Sequence, residues 1–271
     1  MTNTIIPPNR LKRAIHAGQH VVGTMLAEIR QPSVMQLLAN AEFDFVIIDN
    51  EHGGFNVETL ADLSRAAQYV GLTPIVRVPD LSYAHIAQTL DVGAQGIMIP
   101  RITSAQQVRD VVDMMKYPPM GIRGNASSRG YTNFKSGPVE DIMLTANEET
   151  ILIVQIETRE ALDELEEIVN TPGVYAILVG PNDLSISLGI PGQYNSMMMQ
   201  AAIHKVITVC QKHGVCPGIH MNNLDLATYW VKKGMQLISS GSEIGFLTKG
   251  GLDLTSTIRK TIEREFTPNG S

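Results

Sequence analysis

Eight short apolar runs, bounded by turn residues and separated by amphipathic segments, recur along the whole chain. They cover Val21–Leu26, Phe45–Asp49, Pro74–Val78, Gly96–Pro100, Ile151–Glu157, Val174–Val179, Cys216–His220 and Met235–Ser239. Their length and their flanking turns predict strands. Between them the apolar spacing predicts helices over Ser33–Ala41, Val57–Val70, Tyr83–Val92, Ala105–Met115, Arg159–Val169, Met197–His213 and Leu224–Lys233, with a last one over Leu252–Phe266. Gly71 and Gly93 stand where helix C-caps belong, and Ser104 where an N-cap belongs. Strand and helix alternate eight times without a break in composition. That pattern predicts one (β/α)8 barrel domain over residues 1–271, its core at about 21–241, rather than a doubly wound sheet. The main irregularity is Tyr117–Asn147, a connection rich in Gly, Pro, Ser and Asn. A loop of that length is more often functional than idle.

Composition narrows the partners. A net charge of -6 leaves no basic footprint for nucleic acid. Cys210 and Cys216 form neither a disulfide framework nor a zinc-ribbon spacing, and read as thiols of a reducing cytoplasm. The N-terminal MTNTIIPPNRLKRAIHAGQH lacks the apolar core of a secretory signal, and no apolar run is long enough to span a membrane. The expectation is a cytoplasmic protein.

Chemistry in a barrel belongs at the C-terminal ends of the strands. The second strand runs into Asp49, Glu51 and His52, in VIIDNEHGG. The third delivers Arg77 and the fourth Pro100 and Arg101. The fifth delivers Gln155 and Glu157 on one face by the two-residue period. The sixth enters GPNDL, with Asp183 past a glycine turn, and the seventh ends in His220. Packing does not account for so many polar strand ends at one mouth. Glu157 and Asp183 are hard oxygen donors suited to Mg²⁺ or Mn²⁺, with Co²⁺ a further candidate. The histidines show no zinc-type cluster, and no lysine ends an apolar strand for Schiff-base chemistry. Arg77 suits an oxyanion on a polarised carbonyl. An imidazole at His52, oriented by Asp49 or Glu51, suits proton transfer. Arg123 reads as structural, tying down the long loop, while Arg129 and Tyr131 are open between structure and substrate contact. Ser239, Ser240 and Gly241 after the eighth strand are a candidate phosphate-binding turn.

The segments DNEHGGFNVETL, PIVRV, GIMIP, YPPMGIRG, VQIET and GPNDLSISLG, in this order from about Val21 to Gly241, resemble the HpcH/HpaI family of metal-dependent pyruvate aldolases. The resemblance implies a barrel of the phosphoenolpyruvate/pyruvate type. It implies reversible cleavage of a 4-hydroxy-2-oxo acid to pyruvate and an aldehyde, through a pyruvate enolate held at a divalent metal, with no organic cofactor. Carried over by motif, Glu157 and Asp183 match the metal carboxylates, and Arg77 the arginine that stabilises the enolate. His52 and Asp49 match a proton-handling dyad, and Gln155 a residue near pyruvate. Gly180, Pro181, Asn182 and Asp183 match the turn whose backbone N–H groups hold the pyruvate carboxylate. The resemblance also implies a homo-oligomer, commonly a hexamer built from dimers that exchange C-terminal helices. Readings that keep the same enolate are oxaloacetate decarboxylation and acyl-CoA cleavage; outside catalysis, a 2-oxo acid-binding barrel remains.

Three positions depart from the family's pattern. Arg101 stands where an apolar residue is usual, His220 where leucine is usual, and Met25 where tryptophan is usual. Together they predict a more polar and cationic acceptor pocket, for an aldehyde bearing a carboxylate or several hydroxyls.

Overall fold

The computed structural model describes residues 5–266; the outermost residues of the expected domain, 1–4 and 267–271, lie outside the described residues. The chain enters through α1 (Arg10–His16) and β1 (Val21–Leu26), then α2 (Val34–Asn40), β2 (Phe45–Asp49), α3 (Val57–Val70) and β3 (Thr73–Arg77). There follow α4 (Tyr83–Asp91), β4 (Gly96–Ile99), α5 (Ala105–Met115), α6 (Val139–Glu149) and β5 (Ile151–Ile156). Next come α7 (Arg159–Asp163), α8 (Leu165–Val169), β6 (Val174–Val179), α9 (Pro181–Ser187) and α10 (Met197–His213). The chain finishes with β7 (Cys216–His220), α11 (Leu224–Lys232), β8 (Leu237–Ser242) and α12 (Glu243–Phe266). The eight strands pair in parallel in sequence order and close β8 onto β1. The (β/α)8 barrel expected from the alternation is the fold.

The two-residue period divides each strand between two cores. Inward residues such as Phe45, Ile47, Ile75, Met98, Ile153, Leu178 and Leu237 fill the lumen. Outward ones such as Val46, Ile48, Val76, Ile97, Val154 and Ile177 pack under the helices. Leu11 and Ile15 of α1, a helix not foreseen from the apolar pattern, join the lumen cluster from below. Asn9 caps that helix by accepting from Lys12 N. Filled from beneath, the lumen opens at the C-terminal strand ends.

Four expected boundaries move. β8 is displaced from Met235–Ser239 to Leu237–Ser242, because Met235 N closes a turn onto Trp230 O and Ser242 still pairs with Met25. The helix expected over Arg159–Val169 breaks at Glu164, whose carboxylate turns to cap Ala105 N at 2.8 Å. The second part of the Tyr117–Asn147 connection is helical: α6 starts after Pro138, carries Glu140 and Asp141 in its first turn, and buries Ile142 and Ala146 four residues apart. α12 begins at Glu243 rather than Leu252, and from Ile244 onward its apolar side chains are exposed, among them Leu247, Leu252, Leu254, Ile258 and Ile262. Glu243 itself is buried and accepts N–H groups of Ala27, Glu28 and Ile29, which fastens the start of α12 to the loop after β1. No described helix is long and apolar enough to cross a membrane.

Candidate active site

The sheet register brings the inward strand ends together. Asp49 is the Cα partner of Arg77 on the adjacent strand, and His220 is the partner of Ser239. Above the lumen lies a cavity of about 390 Å³ lined by Met25, His52, Arg77, Gln155, Gly180, Pro181, Asn182, Asp183 and His220, with Tyr194 and Asn222 at its edge. Of the residues singled out at the strand ends, His52, Arg77, Gln155, Asp183 and His220 line it, while Asp49 and Glu51 pair with Arg77, and Glu157 with Gln155, without lining it themselves.

Arg77 organises one wall. Its Nε and Nη2 donate to Asp49 Oδ1 and Oδ2 at 2.9 and 2.7 Å, a two-pronged pair with little solvent exposure. Its Nη1 lies 2.9 Å from Glu51 Oε2, an ion pair without hydrogen-bond alignment. Burial works against the guanidinium charge, but the Asp49 hydrogen bond and the charges of Asp49, Glu51 and Glu157 outweigh it, so the pKa of Arg77 is raised.

This geometry corrects the expected dyad of His52 and Asp49. The carboxylate of Asp49 faces the guanidinium, whose planar fork fits it better than a single imidazole N–H does. It reaches His52 only through the backbone, accepting Glu51 N and His52 N at 3.1 and 3.3 Å and so shaping the turn. The acid nearest the imidazole is Glu51, with Oε1 3.8 Å from His52 Nε2, beyond hydrogen-bond length. Glu51, whose role the residues alone left open, bridges arginine and histidine, and His52 projects from the wall with its ring 70% exposed.

The opposite wall carries the oxygen donors. Glu157 is 3% exposed, and its Oε1 accepts the N–H of Arg101 at 2.7 Å. Its Oε2 accepts from Gln155 Nε2, and Gln155 Oε1 is buried without a hydrogen-bond partner. Burial pushes the Glu157 carboxyl up, and the charges of Asp183 and Glu51 add to this against the opposing Arg101 N–H. Asp183 is more exposed, at the rim in the first turn of α9. A Cβ at position 180 would stand 2.7 Å from Gln155 Nε2 and 2.9 Å from Glu157 Oε2, so any larger residue there displaces these two side chains. Among the described residues no three His, Cys, Asp or Glu side chains gather as a metal cluster. The protein offers two carboxylates and one unpartnered amide oxygen, a donor set that fits a hard divalent cation sharing its remaining positions with water and substrate.

Two further expectations change. The N–H of Gly180 is already committed to Ile156 O in the sheet, and Pro181 has none, so only Asn182 and Asp183 present backbone donors at the turn into α9. Arg101 adopts φ 53°, which turns its N–H inward to Glu157 and leaves its side chain in solvent. It does not line the cavity. Met25 and His220 do line it.

Outside the mouth, Arg123 is buried, paired with Asp91 at 2.6 Å and held against the Tyr117 and Tyr131 rings, a structural tie for the long loop as expected. Tyr131 is buried against Tyr117, and Arg129 lines a separate surface hollow with Phe134. Neither reaches the cavity. Cys210 and Cys216 are buried free thiols. Tyr194 and Asn222 escaped the strand-end reading because both come from loops beyond the strands; the Tyr194 hydroxyl donates to Asn182 Oδ1 at 2.6 Å. Ser239, a candidate for phosphate, is fully buried and pairs with His220 instead.

A closed parallel barrel with acids, an arginine and an imidazole gathered at its C-terminal mouth defines the class: this is a (β/α)8-barrel enzyme. The chain belongs to the HpcH/HpaI aldolase/citrate lyase family, whose description matches residues 24–249. A 4-hydroxy-2-oxo-heptane-1,7-dioate aldolase of Salmonella arizonae is 35% identical over 89% of this chain and 91% of its own length. An HpcH/HpaI aldolase from Desulfitobacterium hafniense DCB-2 superposes with a TM-score of 0.87 at 32% identity, covering 96% of this chain and 99% of the other. The citrate synthase SbnG follows at 0.82 and 29%, covering 93% and 98%.

Proposed function

We propose that this protein is a divalent-metal-dependent aldolase that reversibly cleaves a 4-hydroxy-2-oxo acid to pyruvate and an aldehyde. The observation that carries the reading is the placing of Arg77, braced by Asp49 and Glu51, in one cavity with Gln155 and Asp183. The relatives named as aldolases supply the reaction class.

Glu157 and Asp183 would hold the cation, Mg²⁺ or Mn²⁺, which supplies Lewis-acid polarisation of the 2-oxo group and a template for the substrate. The N–H groups of Asn182 and Asp183 and the amide of Gln155 orient the pyruvate carboxylate. In the cleavage direction the C4 hydroxyl gives its proton to His52 Nε2 and the C3–C4 bond breaks as the C4 carbonyl forms. The electron pair leaves as pyruvate enolate, whose charge Arg77 faces. His52 then returns a proton to C3. The guanidinium, fixed by two carboxylates before substrate arrives, needs no reorganisation as charge develops. The exposed ring of His52 is free to exchange its proton with solvent between turnovers.

Copies of this chain are the protein partner we assign, as a homo-oligomer up to the hexamer. The exposed apolar side of α12 supports this, because a second copy covers it when the helices are exchanged.

The test is release of pyruvate from 4-hydroxy-2-oxo acids with and without metal. Added Mg²⁺ or Mn²⁺ is expected to raise the rate by at least about a hundredfold over the chelated enzyme, given the several kcal/mol a Lewis acid supplies. The active species is expected to sediment at a multiple of the 29.6 kDa chain. Equal rates with chelator and with metal would overturn the reading, and activity on oxaloacetate alone would favour decarboxylation.

A further inference from the structure

The cavity is divided in its chemistry. Arg77 of β3 and Asp183 at the start of α9 are its charged lining, whereas the end of β7 and the loop after it contribute the uncharged His220, Asn222 and Asn223 beside Met221. His220 is the centre of that second side. Its Nδ1 lies 2.9 Å from the hydroxyl of Ser239, which is fully buried at the inward face of the neighbouring strand. A buried hydroxyl on an adjacent strand fixes the ring's orientation. Asn222 stands beside the same ring, and Asn182 and Tyr194 close the edge.

We propose that His220, oriented by Ser239 and flanked by Asn222, selects a neutral, hydroxylated aldehyde as the partner of pyruvate and disfavours a carboxylated one. This rests on the aldolase reading and names the acceptor class of the same site. The amide oxygens of Asn222 and Asn182 already accept from Gly241 N–H and the Tyr194 hydroxyl, and His220 Nδ1 is paired with Ser239, so the amide N–H groups and His220 Nε2 are what this side offers to the oxygen of an uncharged hydroxyl. A carboxylate only accepts, and it is held best by a cation. Arg77 is the one guanidinium or ammonium group lining the cavity among the described residues, and Asp49 and Glu51 already engage it. Arg101, the other cation expected there, is exposed and does not line the cavity. Burial, with Arg77 adding to it, pushes the His220 imidazole down to about 4, so at neutral pH the ring offers hydrogen bonds and no charge. A second carboxylate would enter a cavity that Asp183 already lines, with no uncommitted positive side chain to receive it.

The experiment measures kcat/KM of the metal-loaded enzyme with pyruvate and each of three aldehydes. These are glyceraldehyde, propanal, and 4-oxobutanoate, the aldehyde that cleavage of a 4-hydroxy-2-oxo-heptanedioate releases. Glyceraldehyde is expected to exceed 4-oxobutanoate by at least about tenfold. His220→Leu is expected to lower the glyceraldehyde-to-propanal ratio about tenfold, because it strands a hydroxyl without a partner. His220→Gln, which keeps a donor and an acceptor, is expected to recover most of that ratio. Should His220→Leu fail to fold, Ser239→Ala, which frees the ring, is expected to lower the same ratio. A wild-type preference for 4-oxobutanoate, or a ratio within about twofold of wild type in the folded variants, would overturn the inference. Deuterium exchange into pyruvate alone separates the two levels. If exchange is intact and the preference is wrong, only the acceptor assignment fails. If exchange is absent, the aldolase reading fails and takes this inference with it.

Discussion

Replacing Arg77 by lysine is expected to lower kcat by about 10²–10³-fold, the loss seen when one preorganised oxyanion donor is removed. The conservative change fails here for geometric reasons. The guanidinium uses Nε and Nη2 on Asp49 and Nη1 on Glu51, three directions that one ammonium on a flexible stem does not reproduce. Arg77→Ala is expected to be as damaging to catalysis and worse for stability. It leaves the buried carboxylates of Asp49 and Glu51 without a counter-charge, a situation that costs about 3–5 kcal/mol when a buried pair is broken. Thermal unfolding separates the effects: a lysine variant with near-native Tm and low kcat marks the arginine as electrostatic machinery. A lysine variant with wild-type kcat would show that any positive charge suffices.

Glu157→Gln is expected to lower activity by about 10³-fold or more at fixed metal concentration, since one of two cation carboxylates loses its charge. The same substitution is expected to stabilise the metal-free protein at neutral pH. The folded carboxyl has a raised pKa, chiefly from burial and then from Asp183 and Glu51, so the folded chain binds this proton more tightly than the unfolded chain does. The sign follows. Below the ordinary glutamate value near 4.5 the group is protonated in both states and costs nothing. As pH rises through that value towards the raised one, the unfolded state ionises first, and folding stability falls. Glutamine carries no such penalty, so with chelator present its Tm is expected to exceed wild type at pH 7.5 and to converge with it near pH 4. Metal is expected to reverse the order at pH 7.5. A variant that is less stable than wild type without metal would show that Glu157 acts as a structural carboxylate.

Much of this site was legible because a strand has a period of two. Asp49, Arg77, Gln155, Glu157 and His220 follow from counting inward positions to the strand ends, and the eightfold alternation required those ends to converge. What escaped the reading depends on backbone detail that residue type does not carry. Asp49 pairs with Arg77 rather than with the His52 imidazole because the register makes them neighbours across β2 and β3. Arg101 leaves the pocket because the chain turns left-handed there, a conformation rare outside glycine. The N–H of Gly180 is spent on the sheet, which no motif reveals. α6 was hidden in a stretch whose Gly, Pro and Ser residues all precede Val139, and Tyr194 and Asn222 lie in loops where periodicity has nothing to say.

The central claim is that the protein removes a proton from the pyruvate methyl group with the help of a bound divalent cation. Its most direct measurement is loss of the methyl proton signal of pyruvate in D₂O, with no aldehyde present, with Mn²⁺ or Mg²⁺ against chelator, and in wild type against Glu157→Gln. The account predicts exchange that depends on metal and that Glu157→Gln slows by at least about a hundredfold. Exchange at the same rate in chelator, or in wild type and Glu157→Gln alike, would contradict it.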